Sequence, residues 1–319
     1  MRAVVYSRYG NPDVLELKDV EIPVPGDAEV LLKVHAVSLN DWDVAMLDGD
    51  FINRLINGFK KPKIQILGSD VAGTIQQVGK HVTAFKVGDE VYGDLSGRWG
   101  GFAEYACAAE NALALKPPGM SFEQAAAFPQ AGMLAVQGLI DKGQIKAGEK
   151  VLINGAGGGV GTFAVQLGKL FGVEMTGVDS EAKLAMLRAL GYDHVIDYRK
   201  TDFTRTGQRY DLILDVKTNR SPFDYLRALN TAGRYATVGG APGRLLQTFL
   251  SSSVISLFTK KKLIVVALKP NKDLEYINKL YESGKIRAIL DGPYPLEDIP
   301  AKFRDFAQGL HKGKVVFSL

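Results

Sequence analysis

A strand-like apolar run followed by a cluster of glycines constrains the fold of this chain more than any other stretch. Residues 150–154 are mainly apolar, five of the seven residues 155–161 are glycine, and a helical pattern follows at residues 162–170. In a strand–turn–helix of this kind, backbone N–H groups can approach a pyrophosphate at the start of the helix. A ligand-free loop is the alternative, but so many glycines would cost chain entropy for no gain. The turn therefore predicts a dinucleotide site formed by Gly155, Ala156, Gly158, Gly159, Val160 and Gly161.

The chain also predicts two domains of different architecture, because its 319 residues exceed the size at which a single core usually divides. Residues 1–120 hold short strand-like runs separated by glycine and proline, which is typical of a β-barrel or sandwich. From residue 150 onward strands and helices alternate, which indicates an α/β fold with a doubly wound parallel sheet. We expect a dinucleotide-binding domain at residues 121–269, and residues 270–319 returning to complete the first domain.

Composition describes an ordinary globular protein, with 46% apolar and 23% charged residues. The formal charge of +4 comes from scattered basic residues, so we expect no nucleic-acid partner. Cys107 is the one cysteine and the start of the chain has no signal-like pattern, so a cytoplasmic location is expected. No apolar run reaches the length of a membrane span.

Short motifs are distributed along the whole chain. Besides the glycine turn, they are Ser38-Leu39-Asn40-x-x-Asp43, Gly68-x-Asp70-x-Ala72-Gly73, Phe85-x-x-Gly88-Asp89-x-Val91-Tyr92-Gly93, Leu190-Gly191-x-Asp193-x-Val195-Ile196-Asp197-Tyr198 and Gly313-Lys314-Val315-Val316. In their order and spacing these motifs resemble the medium-chain dehydrogenase/reductase superfamily, in its zinc-free, zeta-crystallin-like quinone oxidoreductase branch. This resemblance implies a GroES-like β-barrel catalytic domain, a Rossmann domain that binds NAD(P)H, an active-site cleft between them, and a homodimer or homotetramer.

The resemblance also bears on metal binding. Zinc-dependent relatives carry a cysteine where this chain has Asn40, a His-Glu pair where it has Ser69-Asp70, and a second cysteine near Ala131. The four histidines of this chain share no ligand-like spacing, and the four cysteines of a structural zinc lobe are missing. We therefore expect no metal.

Without zinc, hydride addition to an electron-poor acceptor is easier than oxidation of an alcohol. The nicotinamide carries that chemistry, and the protein positions and polarises the acceptor. The predicted substrate is a quinone or an α,β-unsaturated carbonyl compound, an enone or enal. Two alternatives stay open: an enoyl-thioester reductase, and a cofactor-binding protein with a structural or RNA-binding role.

Asn40 and Asp43 are the catalytic candidates. The amide of Asn40 could donate a hydrogen bond to the oxygen on which negative charge develops, or it could cap the short helix that follows. Asp43 could orient a cofactor hydroxyl or simply complete that helix turn. Several relatives carry a tyrosine shortly after this motif as a proton donor, but Val44, Ala45 and Met46 stand here, so solvent is the expected proton source.

The residues predicted to choose between NADH and NADPH follow the second strand of the parallel sheet. A carboxylate at Asp179 would bind the adenosine ribose hydroxyls and repel a 2′-phosphate, although Asp179 or Ser180 could instead cap the next helix. Lys183 and Tyr198 match positions that contact the 2′-phosphate in NADPH-using relatives. Lys183 is taken as an exposed lysine whose attraction solvent weakens, so the repulsion by Asp179 outweighs it and the balance favours NADH slightly.

Four further cofactor contacts are expected where strands end. Asp215, Val238 and Gly239 follow strands of the parallel sheet, whose carboxyl ends face the ligand crevice in such folds. Gly239 could also belong to an ordinary turn. Lys314 could reach the cofactor or be a surface charge beside a strand.

Other predictions concern secondary structure. The pattern predicts a strand at residues 101–106 and one helix at residues 125–139. Residues 245–258 are apolar with three serines and precede lysines at positions 260–262. This stretch is interpreted as a cleft wall or subunit contact, with a membrane-surface role as the alternative.

Overall fold

The structure is a computed structural model, and it describes residues 1–240 and 242–319. The described chain divides into two compact units. The first comprises Met1–Gln130, Pro270–Glu282 and Ala288–Leu319, and the second comprises Ala131–Lys269 and Ser283–Arg287.

The secondary structure follows the expected change from β-rich to alternating. In chain order the strands are β1 (Arg2–Val5), β2 (Glu16–Asp19), β3 (Glu29–Ser38), β4 (Asp70–Val78), β5 (Glu90–Asp94), β6 (Tyr105–Ala109), β7 (Ala114–Leu115), β8 (Lys150–Asn154), β9 (Glu174–Asp179), β10 (His194–Asp197), β11 (Tyr210–Asp215), β12 (Leu229–Thr237), β13 (Lys262–Val265), β14 (Leu290–Pro295) and β15 (Lys314–Ser318).

The α-helices are distributed over both units. They are α1 (Asp41–Asp48), α2 (Phe51–Asn57), α3 (Phe122–Ala127), α4 (Pro129–Val136), α5 (Gly159–Leu170), α6 (Glu181–Leu190), α7 (Pro222–Ala228), α8 (Pro242–Phe258), α9 (Leu274–Glu282) and α10 (Ile299–Ala307). A π-helix, Gln137–Lys142, continues α4.

The first unit is built around β3, which pairs with β4, β6 and β15 in a seven-stranded sheet. Its core is apolar and aromatic, with the ring of Phe102 meeting those of Phe303 and Phe317 edge-on. At the end of β3, Ser38 pairs with Asp70 on β4 and with Val316 on β15. This register brings the start of β4 and the start of β15 beside the residues that follow β3.

The second unit holds a six-stranded, wholly parallel sheet in the order β10-β9-β8-β11-β12-β13. The inner strands are apolar and almost continuously buried, as expected for a parallel sheet covered on both faces. Parallel pairing aligns the carboxyl ends of the strands. Asp215 therefore lies opposite Asn154 on one side and Thr237 on the other, and Asp179 lies opposite Asp197.

Several elements differ from the sequence prediction. The helix predicted at residues 125–139 is divided into α3, α4 and the π-helix, because Pro129 has no N–H group with which to continue α3. The strand predicted at residues 101–106 corresponds to β6, which begins four residues later than predicted, at Tyr105. Helix α3, which the predicted division placed in the nucleotide-binding domain, belongs to the first unit.

Candidate functional site

The glycine turn joins β8 to α5 and is anchored to the neighbouring strand β9. Gly155 has a φ of +91°, a left-handed backbone conformation that favours glycine. The N–H groups of Gly155 and Ala156 both donate to the carbonyl oxygen of Val178, at 3.0 and 3.1 Å. Helix α5 then begins at Gly159, with Gly158 as the capping residue. Since the first N–H groups of a helix have no partner inside it, this end of α5 suits a pyrophosphate.

Gly161 is required by the packing of the turn itself. A Cβ atom added there would lie 2.3 Å from the carbonyl oxygen of Ala156, within the turn itself. The carbonyl oxygen of Gly161 accepts a hydrogen bond from the Tyr192 hydroxyl, at 2.8 Å. The missing side chain therefore allows α5 to pack against its own turn, and this packing accounts for the glycine without a ligand.

Asp179, the last residue of β9, is part of the same turn. Its Oδ2 accepts a hydrogen bond from the N–H group of Gly157, and its Oδ1 accepts one from the N–H group of Ser180, both at 2.8 Å. A Cβ atom at Gly157 would lie 3.0 Å from Asp179 Oδ2. The absence of a side chain at Gly157 thus permits the close approach of the carboxylate.

Lys183 is buried, contrary to the assumption on which the predicted nucleotide preference rested. Its ammonium lies 3.6 Å from Oδ1 of Asp179, the residue four positions earlier in the chain. The lean towards NADH assumed an exposed lysine whose charge is screened by solvent. Because a buried ammonium beside the carboxylate offsets its charge at short range, that reason for favouring NADH no longer holds.

The other two predicted nucleotide residues lie next to this pair. Ser180 is the N-terminal capping residue of α6. Tyr198 follows β10, its N–H group donates to the carbonyl oxygen of Asp179 at 3.2 Å, and its ring is 46% exposed. The guanidinium of Arg199 lies 5.7 Å from the centre of that ring. Arg199 was not among the predicted nucleotide residues, although a basic residue directly after Tyr198 is visible in the sequence.

Asp215 is engaged by the protein rather than presented to a ligand. It is fully buried, and its Oδ1 accepts hydrogen bonds from the side-chain amide of Asn154 and from the N–H groups of Lys217 and Thr218. Its Oδ2 accepts one from the hydroxyl of Tyr235 at 2.8 Å. These four donors fix the ends of three adjacent strands, so Asp215 has a structural role.

Val238 and Gly239 lie at the same edge of the sheet. The N–H group of Val238 donates to the carbonyl oxygen of Asp215 at 3.0 Å. The carbonyl oxygen of Gly239 accepts hydrogen bonds from the hydroxyls of Thr218 and Thr237. Both residues are half-buried beside the carboxyl end of β12. The two threonines were not identified from the sequence, because their proximity depends on strand pairing.

A second polar cluster lies in the first unit and contains Lys314, which is not a surface charge. The side chain is 4% exposed, and its ammonium donates to Asn40 Oδ1 at 2.6 Å, to Asp70 Oδ2 at 3.0 Å and to the carbonyl oxygen of Leu39 at 3.3 Å. These contacts stay within the first unit and connect Lys314 to one of the two catalytic candidates.

Ser69 and Gln130 complete the Lys314 cluster. The hydroxyl oxygen of Ser69 accepts hydrogen bonds from the side-chain amides of Gln130, at 2.8 Å, and of Asn40, at 3.3 Å. The backbone N–H group of Gln130 donates to the carboxylate of Asp70. Gln130 could not be identified from the sequence, because only the fold of the first unit brings it beside Ser69 and Asp70.

Comparisons with known proteins identify the family. Residues 26–118 match the alcohol dehydrogenase GroES-like domain, and residues 190–317 match the zinc-binding dehydrogenase family. The chloroplastic quinone-oxidoreductase homolog of Spinacia oleracea is 33% identical over 328 residues, which cover 99% of this chain and 98% of that protein. This chain belongs to the medium-chain dehydrogenase/reductase superfamily.

Other relatives of this medium-chain dehydrogenase/reductase agree. The chloroplastic NADPH-dependent alkenal/one oxidoreductase of Arabidopsis thaliana is 31% identical, over 99% of this chain and 79% of its own length. The solved structure of the quinone oxidoreductase from Coxiella burnetii matches with a TM-score of 0.88 and 28% identity, covering 100% of this chain and 99% of that one. The predicted family and the predicted combination of a GroES-like domain with an α/β Rossmann domain are confirmed.

The donor set of this medium-chain dehydrogenase/reductase does not fit catalytic zinc. Zinc prefers cysteine, histidine and carboxylate ligands. Around Asn40 the structure provides an amide oxygen, a serine hydroxyl and one carboxylate, and the ammonium of Lys314 already lies between Asn40 and Asp70. Within residues 1–240 and 242–319, no three His, Cys, Asp or Glu side chains are grouped as a metal site would require.

Asp43 is enclosed by side chains and backbone of the first unit and is not exposed to a ligand. It is fully buried, and its carboxylate accepts hydrogen bonds from the N–H groups of Asn40 and Gly68 and from the indole of Trp99. Burial raises the pKa of Asp43 to about 7, although the two backbone N–H groups act in the opposite direction. The reading of Asp43 as completing the helix turn fits these contacts, and a role in orienting the cofactor does not.

No α-helix in the described part of the chain is both long enough and apolar enough to cross a bilayer. The cytoplasmic location and the homodimer or homotetramer remain predictions.

Proposed function

We propose that this protein is an NAD(P)H-dependent reductase that transfers hydride to a quinone or to an α,β-unsaturated carbonyl compound without zinc. The names of its relatives support this proposal, since they include a quinone-oxidoreductase homolog and an alkenal/one oxidoreductase over nearly the whole chain. The observation that carries it is the Lys314 cluster. Where zinc-dependent relatives carry metal ligands, this chain has an ammonium, Lys314, that holds the Asn40 amide as a hydrogen-bond donor.

The second unit would hold the dinucleotide. The glycine turn and the first N–H groups of α5 fit the pyrophosphate, and the Asp179–Lys183 pair would face the adenosine ribose. Bound NAD(P)H supplies the hydride. Because Asp179 and Lys183 carry opposite charges at one place, we propose that the enzyme uses both NADH and NADPH with little discrimination between them.

Lys314 would fix the orientation of the Asn40 amide. An ammonium can only donate hydrogen bonds, so the oxygen of the amide must face Lys314 and the NH₂ group must face away from it. The amide nitrogen has two hydrogens, and the contact with Ser69 at 3.3 Å uses one of them. We propose that the other hydrogen donates to the acceptor's carbonyl oxygen, where negative charge develops as hydride adds. Asn40 is then catalytic, and Lys314 is a positioning residue.

The proton that completes the reduction would come from solvent. The residues that follow the Asn40 motif toward the middle of α1 are Val44, Ala45 and Met46, none of which carries an acidic proton. The carboxylate of Asp43 is buried and accepts hydrogen bonds from three donors of the protein, so it does not reach a substrate. The protein therefore needs to stabilise only the oxyanion while water supplies the proton.

A substrate panel tests this proposal. Oxidation of NADH and of NADPH would be followed by stopped-flow absorbance at 340 nm with a benzoquinone, a phenanthrenequinone, a short alkenal, an enone and an enoyl thioester. We expect turnover with quinones or enones and slower turnover with the thioester. Nucleotide binding without any turnover would contradict the proposal and favour a non-catalytic role, whereas preference for the thioester would favour enoyl reduction.

A further inference from the structure

Asn40 belongs to a closed ring of hydrogen bonds that is formed by five buried residues of the first unit. From the amide oxygen of Asn40 the ring passes to the Lys314 ammonium at 2.6 Å and from there to Asp70 Oδ2 at 3.0 Å. The backbone N–H group of Gln130 donates to the same carboxylate oxygen at 3.2 Å. The side-chain amide of Gln130 donates to the Ser69 hydroxyl oxygen at 2.8 Å, and the amide nitrogen of Asn40 donates to that oxygen at 3.3 Å. Gln130 therefore links the two groups that hold the opposite ends of the Asn40 amide.

The orientation of the Gln130 amide is fixed by acceptors at the end of β5. Oδ1 of Asp94, the last residue of β5, lies 3.3 Å from Gln130 Nε2, and the Ser96 hydroxyl oxygen lies 3.1 Å from the same nitrogen. The Ser96 hydroxyl itself donates to Asp94, so its oxygen is left to accept. An ionised carboxylate can only accept hydrogen bonds. The NH₂ group of Gln130, and not its oxygen, must therefore face Asp94, Ser96 and Ser69.

Ser69 transmits this orientation to Asn40. A hydroxyl oxygen offers two acceptor sites, and the amides of Gln130 and Asn40 both donate to Ser69 Oγ. Ser69 is fully buried, so its hydroxyl acts on these two amides and does not reach a substrate. Without the donor from Gln130, the Ser69 hydroxyl would be free to rotate. The Asn40 amide would then be held firmly only at its oxygen, by Lys314.

We propose that Gln130 is a second positioning residue of the reductase and that it acts on Asn40 through Ser69. This role rests on the proposed function, in which the remaining hydrogen of the Asn40 amide stabilises the oxyanion. Lys314 and Gln130 would together hold both ends of one amide, so that its free N–H bond points in a fixed direction. Because a hydrogen bond weakens steeply when its donor is misaligned, opening the ring at Gln130 should slow hydride transfer without removing the donor.

Single-turnover oxidation of NADPH by the full-length protein with saturating quinone tests this coupling. Gln130→Met keeps the length of the side chain and the backbone N–H group but has no side-chain donor. We expect it to lower the rate at least about tenfold and to change the steady-state KM for quinone less than about threefold. In the Asn40→Ala background the same substitution should change the rate less than about twofold, because no amide is left to position. The control is Gln124→Met, at a half-buried glutamine of the same unit that pairs with Tyr281, and it should react like the wild type.

Ser69→Ala breaks the same link from the other side and adds no bulk to the buried ring. This variant should lose rate about as much as Gln130→Met does, and the two substitutions together should be no slower than the slower of the two. A wild-type rate in Gln130→Met would overturn the proposal. Losses that multiply in the combined variant would also overturn it, since Gln130 would then not act through Ser69.

Nuclear magnetic resonance of the unliganded protein separates this role from the proposed function. In protein labelled with ¹⁵N-asparagine, the side-chain signal that Asn40→Ala removes belongs to Asn40. We expect the order parameter of this amide to be about 0.85 in the wild type and to fall below about 0.6 in Gln130→Met. An equally rigid amide in both proteins would overturn the role of Gln130. An amide that loosens as expected, in a protein that reduces no quinone or enone, would contradict the proposed function alone.

Discussion

The ammonium of Lys314 lies 2.6 Å from the amide oxygen of Asn40, although 274 residues separate them in the chain. The same ammonium forms a buried ion pair with Asp70. Lys314 thus places a buried positive charge beside Asn40 and fixes the orientation of the Asn40 amide, which is itself neutral.

Two variants at this ion pair should separate stability from catalysis. Lys314→Met alone leaves the buried carboxylate of Asp70 unpaired, so we expect a loss of about 3–5 kcal/mol in the free energy of unfolding. Adding Asp70→Asn removes that charge and should restore most of the stability, while turnover stays about 10- to 100-fold below wild type because Asn40 is no longer oriented. Both tryptophans, Trp42 and Trp99, lie in the first unit, so urea titrations followed by tryptophan fluorescence report on it. Wild-type turnover in the double variant would show that Lys314 does not position Asn40 for catalysis.

Asp179 and Lys183 should influence nucleotide preference in opposite directions, because the carboxylate repels the 2′-phosphate of NADPH and the ammonium attracts it. We expect kcat/KM for NADH and NADPH to differ less than about tenfold in the wild type. Asp179→Asn, which keeps an acceptor for the N–H group of Gly157, should shift the ratio towards NADPH, and Lys183→Met should shift it towards NADH. Each shift should be about tenfold, or 1.4 kcal/mol. Shifts in the same direction would contradict the assignment of the pair to the ribose end of the nucleotide.

Two glycines of the turn should respond differently to substitution. Gly161→Val places side-chain atoms against the carbonyl oxygen of Ala156, so the second unit should fold poorly while the tryptophan signal of the first unit persists. Gly158 has a φ of −88° and a ψ of −178°, which any residue can adopt. Gly158→Val should therefore fold and bind nucleotide at least about tenfold more weakly, because its side chain hinders the approach of the phosphates. Calorimetric titration with nucleotide and limited proteolysis would measure both, and tight binding by Gly158→Val would contradict the placement of the pyrophosphate.

Because Asp94 is buried, we expect the free energy of unfolding of the first unit to fall as pH rises. It is buried, its Oδ2 has no hydrogen-bond partner among the described residues, and burial raises its pKa to about 6. Between about pH 4 and 6 the unfolded chain loses this proton while the folded chain retains it, so stability falls over that range and then levels off. Asp94→Asn should abolish this contribution, and its stability relative to wild type should rise by about 2–3 kcal/mol from pH 4 to pH 8. A difference that does not vary with pH would show that Asp94 is ionised throughout.

The sequence predicted local features well and long-range ones poorly. The turn from β8 to α5 was recognisable because its signal lies within about twenty consecutive residues. The burial of Lys314 was not, because its partner Asp70 is 244 residues away. The close approach of Lys183 to Asp179 was also missed, although only four residues separate them, because it depends on how α6 follows β9.

Helix α8 was missed for another reason. Helices are recognised in sequence by an alternation between an apolar face and a polar face. In α8 the apolar side chains recur at helical spacing, but most of them face outward, while the inward side carries Thr248 and Ser252 beside Ile255. The usual relation of an apolar face to the inside is therefore reversed, and the stretch was interpreted by its composition instead of its period.

The most direct test of the central claim, that Asn40 is the hydrogen-bond donor of a zinc-free reductase, is the single-turnover rate of NADPH oxidation by Asn40→Ala with saturating quinone. We expect this rate to fall about 10²–10³-fold, while the nucleotide dissociation constant and the tryptophan-monitored unfolding midpoint stay close to wild type. A rate within about threefold of wild type, with the same nucleotide affinity, would contradict it.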